Sequence, residues 1–162
     1  MIRLFFLLIA FQAYSSEISG FWKSYDEKTK KPQMVVAIYP YQGKYFGRII
    51  ATYDKKGNLS ETLDHPEERA PGLVNHPYYC GLDLIYNLQK SGNVYKGKIV
   101  DPLKGNVYGA ELWRKSANLI VRGKLLFFGK NLTWEPFPES EFSSALPKPD
   151  VSKFNPIIPK VL

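Results

Sequence analysis

The residues best equipped for chemistry sit in one polar stretch and one turn. His65 and His76 stand eleven residues apart, with Asp64 and Glu67 beside the first. Two imidazoles and a carboxylate are donors that a zinc-type ion accepts. The spacing matches no short ligand motif, and each histidine precedes a proline in ordinary loop fashion, so no metal and no cofactor is expected. Cys80, four residues after His76, has the pairing of a thiol nucleophile and its base. It also opens an apolar run, where burial raises a thiol pKa and leaves little thiolate to attack. Asp101-Pro102-Leu103-Lys104-Gly105-Asn106 places a carboxylate beside a glycine. The plainer reading is a hairpin turn: the aspartate bonds nearby amides, proline fixes φ, and glycine supplies a positive φ. No G-x-S-x-G, phosphate loop, paired-carboxylate motif or zinc finger occurs, and no catalytic residue is assigned. The sequon Asn131-Leu132-Thr133 falls inside a strand-like run.

Short apolar runs punctuated by turn residues must position these groups. They are Ile18–Tyr25, Met34–Tyr39, Tyr45–Tyr53, Cys80–Leu88, Val94–Val100, Val107–Arg114, Asn118–Lys124 and Lys130–Trp134. Eight such runs joined by Gly, Asn, Asp or Pro turns predict an all-β antiparallel meander. No window holds helical periodicity long enough to compete. Short turns between neighbours favour closure into an eight-stranded up-and-down barrel, just wide enough to fill itself or hold one small ligand. Leu59–Tyr79 interrupts the meander and reads as a loop or lid, since it is long, polar and carries both histidines. Six of the twelve prolines follow Trp134, so this C-terminal tail cannot extend the sheet. Within it Glu139–Leu146 is compatible with a short helix or with extended or disordered packing.

Residues 1–13, MIRLFFLLIAFQA, carry one positive charge at Arg3 and then an apolar run from Leu4 to Phe11. Small residues at Ala13 and Ser15 complete the pattern of a secretory signal cut after Ser15, too short in apolar residues to span a bilayer. The competing reading is a buried first strand or helix, which the lack of any polar face disfavours. No cysteine directly follows the run, so a lipidated start is excluded. The expected organisation is a signal peptide at 1–15, a barrel domain at 16–135 and a Pro-rich tail at 136–162. The product would be periplasmic or secreted. About 147 of the 162 residues then remain, enough to bury roughly 68–70% of the unfolded surface without staples. A single cysteine rules out an intramolecular disulfide framework, and burial is its expected fate.

The composition agrees. Eleven Tyr, ten Phe and three Trp, with twelve each of Gly and Pro, favour β structure over a helical bundle. The charge of +7 invites a nucleic-acid or membrane reading, but the lysines are spread through turns such as Lys28, Lys30 and Lys31, Lys55 and Lys56, and Lys153 and Lys160. Scattered lysines keep strand edges soluble, and export makes nucleic acid an improbable partner.

Several pieces together carry a family resemblance. Gly20-Phe21-Trp22 has the G-x-W arrangement that opens lipocalin-like barrels. Gly47-Arg48-Ile49, Pro71, and Cys80-Gly81-Leu82-Asp83-Leu84-Ile85 follow. Tyr95-Lys96-Gly97-Lys98-Ile99-Val100-Asp101-Pro102 then runs into Gly105-Asn106-Val107-Tyr108 and Leu112. The set ends with Leu119-Ile120-Val121-Arg122-Gly123, Phe128-Gly129 and Thr133-Trp134. From Gly20 to Trp134 this resembles domain of unknown function family 2147, exported bacterial proteins with a lipocalin-like (calycin) barrel. The chain departs from the family in having Glu135-Pro136 after the final Trp, where a basic residue is usual. The resemblance implies the fold and brings no activity with it.

On a barrel of this kind, Trp22, Tyr45, Tyr95, Tyr108, Trp113 and Trp134 are the expected plugs and lining. Arg122 either packs its guanidinium over Trp22 at the closed end or points into the lumen as an anion partner. The leading function is a non-enzymatic envelope module binding a small hydrophobic or amphipathic ligand, gated by Leu59–Tyr79. The alternative is a solid barrel whose tail docks an envelope partner. An enzyme using His65, His76 or Asp101 ranks third. An integral outer-membrane barrel ranks below these, since Arg48, Asp83, Lys98 and Glu111 interrupt any lipid-facing band.

Overall fold

In the computed structural model, residues 17–125 and 128–162 are described; the N-terminal apolar run read as a signal lies outside them. The eight apolar runs become antiparallel strands β1 (Gly20–Tyr25), β2 (Pro32–Tyr41), β3 (Lys44–Tyr53), β5 (Asp83–Ser91), β6 (Val94–Asp101), β7 (Asn106–Lys115), β8 (Asn118–Leu125) and β9 (Phe128–Pro136). A short ninth strand, β4 (Leu59–Thr62), lies where only a loop was expected. Leu-Ser-Glu-Thr has little strand signal of its own, and a backbone edge captures it. The first half of β3 pairs with β5 (Tyr45↔Leu88, Arg48↔Asp83), and the second half with β4 (Ala51↔Thr62, Thr52↔Glu61). The fourth apolar run starts as a strand only at Asp83, because Gly81 turns the chain at φ +100° just before it.

The strand order β2-β1-β9-β8-β7-β6-β5-β3, with β2 also paired to β3, closes an eight-stranded barrel. The seam is thin: β1 and β9 register only at Trp22↔Pro136 and Lys23↔Glu135. Beyond it the strands splay, bridged by a 2.7 Å hydrogen bond from the Tyr25 hydroxyl to Glu135.

Period-two alternation sends Trp22, Val36, Ile38, Ile85, Leu112, Leu119 and Val121 to the interior. On β2 and β3 both faces are apolar. Val35, Ala37, Ile50 and Ala51 form a second layer outside the barrel, joined by Phe137 and Leu146 and flanked by Phe142, Val151 and Phe154. A run such as Met34-Val-Val-Ala-Ile38 is the signature of a strand covered on both sides. Residues 137–154 provide that cover, with 3-10 turns at Glu139–Glu141 and Val151–Lys153, and residues 157–162 run on to the loop at Leu73. No helix of the described residues is long and apolar enough to cross a membrane.

A buried ion pair latches this cover down. Asp83, 1% exposed, accepts hydrogen bonds from the Tyr39 hydroxyl (2.8 Å), Arg48 Nε (3.1 Å) and Nη2 (2.8 Å), and the backbone N–H of Ile157 (3.0 Å). Arg48 also donates to the Asn155 carbonyl and lies over the Phe154 ring at 4.4 Å. Burial, and then the bond to Asp83, raises the Tyr39 phenol pKa, keeping it a donor. A buried carboxylate is tolerable only with its lone pairs filled in this way.

Candidate functional site

The barrel has a closed end and a mouth. At the closed end Trp22 donates its indole N–H to the Ile18 carbonyl at 2.9 Å, and the Arg114 guanidinium lies 5.0 Å from the Trp22 ring centre. Arg114 also donates to the Glu17 carbonyl at 2.9 Å, tying the segment before β1 across the opening. Tyr45 meets Tyr95 edge-on at 5.0 Å and donates to Glu17, while Leu88, Tyr95, Leu112 and Leu119 are fully buried around them. That half of the lumen is filled.

Towards the other end the inward side chains shrink. Ile99 pairs with Tyr108, Val121 with Leu132, and Gly123 with Lys130. A Cβ at Gly123 would stand 3.8 Å from the Ile99 methyl on β6, two strands away, so both face the same interior space. These residues, with Val100 and Asp101, bound a cavity of about 230 Å³. Lys130 stands at the rim and pairs with Glu27 of the β1–β2 turn. Leu132 also lines a second cleft, of about 420 Å³, between Tyr25, Glu27, Lys30 and Glu135 where β1 and β9 splay. The two spaces adjoin at Leu132.

The long loop after β4 covers part of the mouth end. Its Ala70, Leu73, Cys80 and Leu82 belong to the barrel core cluster together with Val100. Glu61, 3% exposed, holds the loop's start: Oε1 accepts the N–H groups of Glu67 (2.5 Å) and Glu68 (2.7 Å), and Oε2 accepts the Thr52 hydroxyl (3.0 Å). Gly72 packs backbone to backbone on Gly105 of the β6–β7 turn, so closely that a Cβ at Gly72 would fall 2.3 Å from the Gly105 nitrogen.

The residues expected as plugs and lining separate by face. Trp22, Tyr45, Tyr95 and Trp134 point inward in the filled half, and Tyr108 lines the cavity. Trp113 and Arg122 share the outer face, opposite Ile120 and Glu111 respectively. The arginine over Trp22 is Arg114, not Arg122, because inward positions on β8 are Leu119, Val121 and Gly123 and leave Arg122 outside. The aliphatic and glycine lining (Ile99, Val121, Gly123, Leu132) was missed by reading for aromatics, although alternation along β6, β8 and β9 carried the signal.

The groups singled out for chemistry stay apart. His65 and His76 are both exposed, and no group of three or more metal-ligating side chains occurs among the described residues. Cys80 is buried, and burial, reinforced by the nearby Glu61 charge, pushes its thiol up to about 12. Asp101 caps its own turn, accepting from the N–H groups of Leu103 (2.9 Å) and Lys104 (3.2 Å). Among the described residues His65, His76, Cys80 and Asp101 are thus not brought together in one site.

Comparison with known proteins agrees with this architecture. A family model described as an uncharacterized protein conserved in bacteria, DUF2147, matches residues 20–136. Among solved structures the chain is similar to protein HP1028 from the human pathogen Helicobacter pylori, described as belonging to the lipocalin family. The identity is 20% over 78% of this chain and 87% of that one, with a TM-score of 0.63, a likeness of fold. No curated protein matches the sequence.

Proposed function

The chain belongs to the DUF2147 family of bacterial proteins, and from that premise we propose that it is an exported, non-enzymatic binding module of the cell envelope that holds a small hydrophobic or amphipathic ligand in the barrel mouth. The observation that carries this reading is the cavity of about 230 Å³ bounded by Ile99, Tyr108, Val121, Gly123 and Leu132. Apolar walls with a few polar groups at one side are the usual make-up of a small-molecule site. The volume lies below the several hundred Å³ of drug-sized pockets, so the occupant is a single ring or a short chain. The Tyr108 hydroxyl and the Lys130 ammonium supply polarity, and an acidic head group would compete with Glu27 for Lys130.

The test is native mass spectrometry and solvent extraction of protein purified from producing cells, followed by calorimetric titration with octanoate as a short-chain probe. A retained small molecule, and probe affinity lowered about tenfold by Gly123→Leu, are the expected results, because a leucine there occupies the space in front of Ile99. A chain that retains nothing and binds probe equally with and without Gly123→Leu has no functional mouth cavity.

A further inference from the structure

Eight large apolar side chains stand exposed among the described residues, and seven of them lie on three short segments that hydrogen-bond one another. Leu103 and Val107 are on the β6–β7 turn, Val74 on the loop over the mouth, and Ile157, Ile158, Val161 and Leu162 on the tail. Gly72 N–H donates to the Pro102 carbonyl at 2.9 Å, Val74 N–H to Lys160 at 2.8 Å, and Leu162 N–H to Gly72 at 3.2 Å, so the three segments form one continuous surface. Exposure is highest at the tips, 65% for Leu103, 75% for Ile157 and 77% for Leu162. Between loop and tail this surface dips into a groove of about 420 Å³ walled by Leu73, Val74, Ile157 and Ile158.

The solvent-facing charges of the three segments are of one sign, while Asp83 at the floor of the groove is buried and paired with Arg48, and Asp101 beside the turn is taken up by its own turn's N–H groups. Residues 72–78, 102–107 and 156–162 contain Lys104 and Lys160 and no Asp or Glu. Protruding aliphatic side chains interleaved with lysine suit the boundary of an anionic bilayer, where apolar insertion and attraction to head groups add. A protein partner would ask for something else, since interface centres are rich in aromatics and poor in lysine. The geometry points to a peripheral docking surface for an anionic phospholipid bilayer, formed by the β6–β7 turn, the loop over the mouth and the end of the tail. Docking would set that loop against the head groups. The surface stands whether or not the cavity holds a ligand.

Co-sedimentation with vesicles of mixed phosphatidylethanolamine and phosphatidylglycerol, compared with phosphatidylcholine vesicles, tests this on protein purified in the form producing cells accumulate. Binding should favour the anionic vesicles. It should fall about tenfold in a Leu103→Ser, Ile157→Ser variant and comparably in a Lys104→Glu, Lys160→Glu variant. All four side chains are solvent-facing, so the thermal unfolding midpoint of each variant should match the parent and exclude misfolding as the cause. Hydrogen exchange should slow over residues 102–107 and 156–162 when anionic vesicles are added, and stay unchanged around Trp22. Equal binding by parent and variants, or no preference for anionic vesicles, would overturn the assignment. So would a parent chain that ignores vesicles but self-associates through these residues.

Discussion

At one end of the barrel Trp22 is enclosed, bonded to Ile18 and capped by Arg114; at the other, Tyr108, Val121 and Gly123 leave about 230 Å³ unfilled. The strands are the same ones throughout, and what changes along them is side-chain volume. Trp22, Tyr45, Tyr95 and Leu112 at inward positions make a core; Ile99, Val121 and Gly123 further along the same barrel leave a space that Tyr108 and Leu132 do not fill. A barrel of this strand number sits at the limit between filling itself and holding something, and here each half takes one option.

The two ends should differ most in what they contribute to stability. Trp22→Ala should cost about 3–5 kcal/mol, as for other large-to-small core changes, whereas Gly123→Leu at the mouth should change stability by no more than about 1 kcal/mol. Urea unfolding of the two variants measures both, and equal losses would mean that the two ends are packed alike. A smaller effect separates the two arginines. Arg114→Ala removes a contact to Trp22 and a bond to the Glu17 carbonyl and should cost about 1–2 kcal/mol. Arg122→Ala, on the outer face, should stay within about 0.5 kcal/mol. Thermal melts that reverse this order would put Arg122 back at the closed end. At neutral pH the smallest effect is at Cys80, in the loop, and it emerges only in alkali. Its thiol keeps its proton up to about 12 in the folded chain against an ordinary value of 9.0. The unfolded chain therefore gives up that proton first, and the stability contributed by the buried neutral thiol is lost as pH rises from about 9 towards about 12. Iodoacetamide at pH 8 should leave native Cys80 unmodified and label it once urea is added; rapid native labelling would show that the loop opens freely.

Much of this was legible in the residues. Eight alternating runs announced the strands, and Gly20-Phe21-Trp22 announced the plugged end. Three things were not. β4 exists because β3 is longer than its partner β5 can cover, a fact of tertiary pairing that Leu59–Thr62 does not advertise. Which arginine faces Trp22 depends on strand parity, which a one-residue slip inverts. The fate of residues 137–162 depended on the second apolar face of β2 and β3, visible as the unbroken run Met34–Ile38 and left unmatched to Phe137, Phe142 and Phe154.

The Asp83 latch has a consequence for the order of events in the chain's life. Its carboxylate takes donors from β2 and β3 and one more from Ile157, seventy-four residues downstream. Domains made from the N-terminus onward mature as their segments appear. The barrel strands through Pro136 can therefore pair before the tail docks, with Asp83 still short of one donor and the outer face of β2 and β3 still wet. Ile157 supplies the donor that completes the shell around this charge, so the docking of the segment after β9 and the final burial of Asp83 are one step.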